Sequence, residues 1–455
     1  MNGTFSGIVR LTNVSDYILP SQGCIIPLKK EEGSKRIQEV EIRDKSGVKR
    51  TKITPEEQVK ISLNDCLACN GCVTTAETLL IDSQTTEEML RGITETSVSV
   101  ITLSPQTIAS IAHHRNLSIP STAIFISAFF KSKGATYVID SSFGRLISLE
   151  ESWKEFRDVF VSNKRPVICS VCPGFVCYAE KTHGKTLVSL LSKIRSPQAM
   201  NALLAKVYFA NKHNLKPSDI YHVSIMPCYD KKLEASRSDF LLENNVKEVD
   251  CVIGTSELND LLDNFEYDFQ NADKKMEVSW LNRLEAGLVL GGGDDSSGGY
   301  ADYIVNRCLS TIFADRQIQL KEETKSKDLN VTEVIDSSTG QILLTVAKIF
   351  GFKNIQNIVQ KLKRSKCTYD YLEVMACPSG CGNGGGQIRA ESVAARSANL
   401  LGIQALYSSI AQLPDASLEM KQLLKDWSPD YTFFNTSFHI IDTNVMNLNA
   451  VSNMF

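Results

Sequence analysis

Three cysteines lie close together early in the chain, at the spacing C-x2-C-x2-C. They are Cys66, Cys69 and Cys72 in the stretch NDCLACNGCV. Three thiolates at this spacing can hold one corner of an iron–sulfur cubane. No further cysteine follows before Cys169, so Cys24 upstream is the natural fourth ligand. Structural zinc also accepts four thiolates, but the tight double spacing favours a [4Fe–4S] cluster.

A second group of cysteines is dispersed along the chain, and three of them follow apolar runs. Cys172 stands in SVCPG, Cys228 in IMPCYDKK and Cys377 in MACPSG, and Cys381 comes shortly after Cys377. In open α/β sheets, ligands bind at the carboxyl ends of the strands. We therefore expect these four cysteines to converge on a second metal site.

The stretch that contains the last two of these cysteines, EVMACPSGCGNGGGQ, is also rich in glycine. A phosphate-binding loop would need a Lys followed by Ser or Thr after the glycines, and this stretch lacks that pair. We expect the glycines instead to let the backbone approach a bulky cluster closely.

The elements that must position these cysteines are apolar strands that alternate with helical patterns from residue 97 onward. Ser196 and Pro197 predict the start of one helix, over 196–215, and 352–363 has the pattern of another. Strands that are apolar throughout indicate parallel sheets covered on both faces. The sequence therefore predicts an α/β fold of two Rossmann-like lobes with parallel sheets. The predicted strands lie within 97–105, 135–143, 165–174, 220–228, 248–256, 340–351 and 369–377.

Three polar segments are predicted to lie at the surface. Charges of alternating sign predict a solvated loop or hairpin over 29–50. Residues 262–278 and 319–333 have the composition of surface insertions. The predicted domains are an N-terminal, ferredoxin-like cluster-binding region over 1–95, a first α/β lobe over 96–218, and a second lobe with C-terminal helices and tail over 219–455.

The composition restricts the classes of function. The net charge of −3 and a pI near 6.1 argue against nucleic acid as the main partner. The N-terminus lacks the charged and apolar regions of a signal peptide, and the longest apolar stretch, 119–130, is too short to span a bilayer. We therefore expect a soluble, intracellular protein with no membrane partner. In a reducing compartment several of the thirteen cysteines would bind metal rather than form disulfides.

Several motifs of the chain are specific in combination. They are CPG, MPC-x-x-KK-x-E, EVMACPSGC-x-NGGGQ, SPQ at 196–198 and VIDSSFGRLISLEES at 138–152. Over roughly residues 97–405 the chain resembles the iron-only hydrogenases, which implies that its lobes adopt the arrangement of that family. In those enzymes the cysteines of these motifs hold the active-site [4Fe–4S] cluster. By this resemblance the ligands here are Cys172, Cys228, Cys377 and Cys381.

The resemblance also bears on a two-iron subcluster that the enzymes carry. Cys381 matches the cysteine that bridges to the subcluster, and Met226, Lys231 and Met375 match residues that line it. One position departs from the enzymes, which have a further cysteine where this chain has Val171. That cysteine transfers protons to the di-iron site, and valine has no transferable proton.

The motif MPCYDKKLEASR and the combination of Cys24 with a single C-x2-C-x2-C resemble a eukaryotic hydrogenase-like branch. Its members are the cytosolic iron–sulfur protein assembly factors, also called nuclear prelamin A recognition factor-like proteins. This resemblance covers essentially the whole chain. It implies two [4Fe–4S] clusters and a location in the cytoplasm and also the nucleus. It further implies partners among other assembly and targeting-complex proteins, and delivery of clusters to cytosolic and nuclear apoproteins.

The same resemblance implies that the protein is not an enzyme and has no hydrogenase activity. The alternative is a hydrogenase-type redox enzyme, because Cys381 and Lys231 are retained. Many members of the branch end in a Trp that docks on the targeting complex. Phe455, the last residue here, would take that part.

The two cysteine sets predict about eight irons and eight sulfides per chain, held as two [4Fe–4S] clusters. Cys66→Ser should remove about half of this iron and sulfide, because each cluster has its own four cysteine ligands. Metal analysis and electron paramagnetic resonance on anaerobically purified protein measure the change against wild type. Loss of both clusters from this one substitution, or stoichiometric zinc in wild type, would contradict the prediction.

Overall fold

The four cysteines predicted to hold the first cluster lie outside the part of the chain that the structure describes, as does Phe455. The structure is a computed structural model. It describes residues 42–43, 49–50, 75–268, 278–290, 296–390, 392–410, 416–427 and 429–441.

The chain divides into two compact units, Met1–Gly71 and Cys72–Phe455. In the first unit, strand β1 (Ile42–Arg43) pairs antiparallel with β2 (Lys49–Arg50). This pair confirms a hairpin within the charged segment 29–50.

The described part of the second unit contains nine strands, and every segment predicted to be a strand contains one of them. They are β3 (Val98–Leu103), β4 (Tyr137–Asp140), β5 (Val167–Cys169), β6 (Ile220–Met226), β7 (Cys251–Gly254), β8 (Ile318–Ser326), β9 (Leu329–Asp336), β10 (Ile342–Phe350) and β11 (Tyr371–Met375).

Helices precede, separate and follow these strands. Ser196 caps the predicted helix by accepting a hydrogen bond from the backbone nitrogen of Ala199, and a π-helical segment, Leu204–Phe209, continues that helix. The α-helices are α1 (Thr75–Asp82), α2 (Thr86–Glu95), α3 (Pro105–Arg115), α4 (Ile119–Ser132), α5 (Ser142–Val161), α6 (Pro173–Leu187), α7 (Pro197–Leu203), α8 (Ala210–Lys212), α9 (Asp230–Ala235), α10 (Thr255–Leu262), α11 (Tyr300–Ser310), α12 (Phe352–Lys363), α13 (Val393–Ser409) and α14 (Ala416–Trp427). Among the described residues, none of the helices is both long and apolar enough to cross a membrane.

Two sheets carry the fold, which confirms the predicted α/β class. The first has the strand order β4-β3-β6-β7, and all of its strands are parallel. The second has the order β5-β11-β10-β9-β8, and its first three strands are parallel. Apolar side chains of β3 and of the helices that cover it, such as Ile101, Ile108 and Phe129, are buried in one core.

The segment 319–333, predicted to be a surface insertion, instead forms most of an antiparallel hairpin of β8 and β9. β9 continues the second sheet by pairing antiparallel with β10, whereas β5, β11 and β10 are parallel to one another. β8 is the edge strand, and after Ile318 its side chains are exposed. An edge strand exposed in this way does not show the hydrophobic pattern by which sequence analysis recognises strands.

The sheets do not follow the predicted lobe boundary between residues 218 and 219. β6 and β7 lie beyond it but belong to the first sheet, whereas β5 lies before it and belongs to the second. The end of the N-terminal region lies nearer Gly71 than residue 95, because Met89 and Ile93 of α2 pack into the same core as β3. Alternating strands and helices do not specify which sheet each strand joins.

His222 on β6 is fully buried and links the first sheet internally. Its Nε2 lies 2.9 Å from the hydroxyl of Thr102 on β3, and its Nδ1 lies 3.1 Å from the carbonyl of Glu248 just before β7. Burial lowers the pKa of His222 from about 6.5 to about 3, since the charged imidazolium would lose its hydration. The ring therefore stays neutral in the folded protein at physiological pH.

Stability should fall as the pH drops from about 6.5 toward 3. In that window His222 binds a proton in the unfolded chain but stays neutral in the folded protein. The free energy of unfolding therefore falls by up to roughly 1.4 kcal/mol per pH unit. Above pH 6.5 the ring is neutral in both states and this loss is absent. His222→Gln should therefore reduce the pH slope of the free energy of unfolding, measured by urea titration. The control is the exposed His213→Gln, and equal slopes in both variants would contradict this account.

Candidate metal centre

The structure places three of the dispersed cysteines just beyond strand ends, as the sequence predicts. Cys172 follows β5 and occupies the N-cap position of α6, and Pro173 is the first residue of that helix. Cys228 follows β6, and Cys377 follows β11. Cys381 opens a short 3-10 turn, Cys381–Asn383, a few residues further on.

Cys172 and Cys377 are brought to the same edge of the second sheet. Their strands β5 and β11 are parallel neighbours, with Cys169 paired to Glu373. The backbone nitrogen of Ala376 donates to the Cys172 sulfur at 3.4 Å. The hydroxyl of Ser170 donates to the carbonyl of Val374 at 2.7 Å and so also ties the end of β5 to β11.

Cys228 comes from the first sheet and reaches the same region through a contact between two backbone segments. The Gly386 nitrogen donates to the Pro227 carbonyl at 2.9 Å. A Cβ on Gly384 would lie 2.2 Å from that carbonyl oxygen, and one on Gly386 would lie 3.2 Å from the Cα of Cys228. The glycines were expected to make room for a cluster; here, Gly384 and Gly386 make room for the end of β6.

Side chains from other parts of the chain hold the same loop. The Cys381 nitrogen donates to the Ser297 hydroxyl at 3.2 Å, and the Gly382 nitrogen donates to the Ser296 hydroxyl at 3.1 Å. The Ser379 nitrogen donates to a carboxylate oxygen of Asp328 at 3.1 Å. The loop is therefore fixed on several sides.

The thiols of this region influence one another electrostatically. Burial raises the pKa of Cys172 and raises that of Cys228 well above its usual value. Asp230, Cys172 and Cys381 raise the pKa of Cys228 further, while Lys231 acts in the opposite direction on both Cys172 and Cys228. Buried thiols with raised pKa hold their protons until a metal cation replaces them.

Asp230 is a buried carboxyl that sequence reasoning missed. Burial raises its pKa to about 7, against the opposing effect of Lys231. Its Oδ1 has no hydrogen-bond partner among the described residues, and a Cβ on Gly174 would lie 2.4 Å from its Oδ2. The available signal was an acidic residue directly before two lysines at the end of an apolar strand.

The three residues that resemble the lining of a hydrogenase subcluster are buried. Met226 and Met375 end β6 and β11. The Lys231 ammonium forms an ion pair with Glu234 at 2.6 Å, and the other oxygen of Glu234 accepts a hydrogen bond from the Ser196 hydroxyl. Lys231 is therefore neutralised by a carboxylate of its own helix.

The donor set fits an iron–sulfur cluster. Thiolates are the ligands that such clusters bind, and Cys172 and Cys381 lie near enough to Cys228 to raise its pKa. Within the described residues, no group of three or more His, Cys, Asp or Glu side chains is arranged to hold a metal ion. A single ion needs its ligands within about 2.3 Å, whereas each cysteine of a cubane binds a different iron.

Comparison with known proteins identifies the relatives of this chain. Residues 97–385 match the family described as iron only hydrogenase large subunit, C-terminal domain. A probable cytosolic Fe-S cluster assembly factor of Brugia malayi is 45% identical over 441 residues, 96% of each chain. The cytosolic iron-sulfur assembly component 3 of Bos taurus is 39% identical over 97% of this chain and 98% of its own.

The chain belongs to the iron-only hydrogenase-like family. Within that family, its relatives of high coverage are named cytosolic assembly factors, and the predicted cytoplasmic location agrees with these names. An apo [FeFe]-hydrogenase from Chlamydomonas reinhardtii has a TM-score of 0.62 at 21% identity, covering 78% of this chain and 98% of its own. That likeness confirms the hydrogenase-like arrangement of the fold.

Gly384→Ala should disturb the loop that joins the two sheets. Gly384 has a φ of −61°, which any residue can adopt, so the cost comes from the contact of the new Cβ with the Pro227 carbonyl. We expect a loss of about 1–3 kcal/mol of stability, as for other overpacked sites, together with a lower iron content. Thermal unfolding and iron analysis measure both. The exposed neighbour Asn383→Ala is the control, and wild-type values for Gly384→Ala would contradict the packing argument.

Proposed function

We propose that this protein carries two [4Fe–4S] clusters and acts in cytosolic iron–sulfur protein assembly, where it helps to deliver clusters to cytosolic and nuclear apoproteins. The observation that carries the proposal is its similarity, over nearly the whole chain, to relatives named cytosolic assembly factors. Its partners would be other proteins of the assembly machinery and of the targeting complex. Nucleic acid and membranes are not among the proposed partners.

The second cluster is proposed to bind Cys172, Cys228, Cys377 and Cys381. Support comes from the strand ends that carry the first three, and from the loop contact that joins the two sheets beside Cys228. A [4Fe–4S] cluster supplies one-electron redox chemistry or a unit of iron and sulfide for transfer. The chain's own part is to present four thiolates, one of them buried and three half-buried, and to limit the access of water.

The first cluster is proposed to bind Cys24, Cys66, Cys69 and Cys72. The support is the C-x2-C-x2-C spacing together with the single cysteine upstream. These ligands belong to an N-terminal cluster-binding region, followed by the two-sheet part of the chain. Two separate sites on one chain suit a protein that holds one cluster while passing on another.

The alternative function is a hydrogenase-type redox enzyme, and the position of Val171 argues against it. Val171 precedes Cys172, is half-buried, and packs against the apolar side chains on both faces of the second sheet. A hydrogenase must move protons between solvent and its metal through groups that bind and release them. Valine cannot do so, and Lys231 is engaged by Glu234.

Purified wild-type protein loaded with clusters should neither produce nor consume hydrogen with a reduced low-potential electron donor, because Val171 cannot transfer protons. Val171→Cys alone should remain inactive, since a two-iron subcluster would also have to be supplied.

Depletion of the protein in cells should lower the activity of cytosolic iron–sulfur enzymes and spare mitochondrial ones. Hydrogen evolution by wild-type protein would instead support the redox enzyme.

A further inference from the structure

A cavity of about 310 Å³ lies beside the candidate metal centre. On one side its wall includes Val171 and Pro173, the two neighbours of Cys172 in the chain, and Cys177 on α6. The wall also includes Leu233 and Glu234 of α9, so the cavity is lined both by residues just after β5 and by the helix that follows Cys228. Cys172 itself, which stands between two of these lining residues, is 8% exposed.

A segment far away in sequence, 435–441, forms part of the wall of this cavity, and we name it the strap. Thr436, Phe438, His439 and Ile441 of the strap line the cavity. Along this extended segment, Phe438 lies against the apolar core of the second sheet, while most of the alternate side chains are exposed. The strap therefore covers the cavity as a thin layer, one extended segment deep.

The strap is anchored at its start by backbone hydrogen bonds. Asn435 forms an antiparallel bridge with Ile194, and the Thr436 nitrogen donates to the carbonyl of Lys193 at 2.7 Å. The Nε of Arg195 donates to the carbonyl of Asn435 at 3.1 Å. These contacts belong to the short connection that precedes Ser196 and α7.

The far end of the strap is anchored by Glu180 on α6. The Glu180 side chain is only 3% exposed and accepts two hydrogen bonds from Arg237, each at 2.8 Å. One carboxylate oxygen also accepts from the His439 nitrogen at 2.9 Å, and the Glu180 carbonyl accepts from the Ile441 nitrogen at 3.2 Å. The His439 ring lies 2.9 Å from a carboxylate oxygen of Asp239.

We propose that residues 435–441 form a lid that closes the cavity beside Cys172 and limits access of small molecules to the second cluster. This inference rests on the proposed function for its cluster, but the lid itself can be tested without iron. The strap itself is held by a few part-buried hydrogen bonds, and a segment with so few contacts can open in local unfolding without disturbing the core. A segment held in this way opens more readily than the buried sheets it covers.

Full-length Phe438→Ser tests the lid, because it removes the ring by which the strap packs inward. The matched control is Phe433→Ser, since Phe433 is exposed and lies just before the strap. The readout is the rate at which N-ethylmaleimide labels Cys177 in the cavity wall, followed by peptide mass spectrometry. Phe438→Ser should label at least about tenfold faster than wild type, since the rate follows the free energy of local opening. Phe433→Ser should label at the wild-type rate.

Two truncations provide a second test that separates the strap from the residues that follow it. Removal of 442–455 keeps the strap and should leave the Cys177 labelling rate unchanged. Removal of 435–455 should accelerate it as Phe438→Ser does. If the chain that lacks 435–455 fails to fold, as judged by circular dichroism, the comparison of Phe438→Ser with Phe433→Ser decides whether the strap is a lid.

The same variants in a Cys66→Ser background report on the second cluster. The lid predicts that a chelator bleaches the cluster absorbance faster in Phe438→Ser than in Phe433→Ser. Equal labelling and equal bleaching in the two variants would overturn the lid and leave the proposed function intact. Protein that binds no iron but labels faster in Phe438→Ser would retain the lid and refute the proposed function.

Discussion

The candidate metal centre depends on the hydrogen bond between the Gly386 nitrogen and the Pro227 carbonyl. It joins the loop after β11, in the second sheet, to the end of β6, in the first. Without a Cβ on Gly384 the two backbones approach more closely than any side chain would allow. This contact places the loop of Cys377 and Cys381 beside Cys228, and hydrogen bonds to Ser296, Ser297 and Asp328 hold the loop in that position.

Several groups that can carry charge lie close together around the candidate metal centre. Cys172 is buried and Cys228 is half-buried beside the carboxyl of Asp230, and each of these groups would be costly to ionise alone. Lys231 supplies the nearby positive charge and is held in turn by Glu234. A cationic cluster would relieve the repulsion among the thiolates, so the site is suited to bind metal and poorly suited to hold free thiolates.

The sequence was sufficient to locate the strand ends and the cysteines beyond them. Apolar β-branched runs that stop at Pro or Gly identify buried parallel strands, and Cys172, Cys228 and Cys377 each follow such a run. The assignment of strands to sheets was not predictable, because a helical crossover can return the chain to either sheet. For that reason the boundary after residue 218 did not separate β6 from β3.

Other features were missed because they lack a periodic signal. β8 is polar and exposed along its length, so its sequence is that of a loop. The strap is short and irregular, and its role is visible only from its contacts with Glu180 and the cavity. Asp230 illustrates a third limit, since burial of a carboxyl depends on residues such as Gly174 that lie far away in the sequence.

The placement of the proposed ligands on two sheets has a mechanical consequence. Cys228 would be tied by the bound cluster to Cys172 and Cys377, across long stretches of chain, much as a disulfide ties two distant positions. A crosslink that closes a loop of a hundred residues or more lowers the conformational entropy of the unfolded chain. By that account it raises the free energy of the unfolded state by about 5 kcal/mol. A bound cluster would therefore make unfolding less favourable, and the apoprotein would be the form more exposed to proteases.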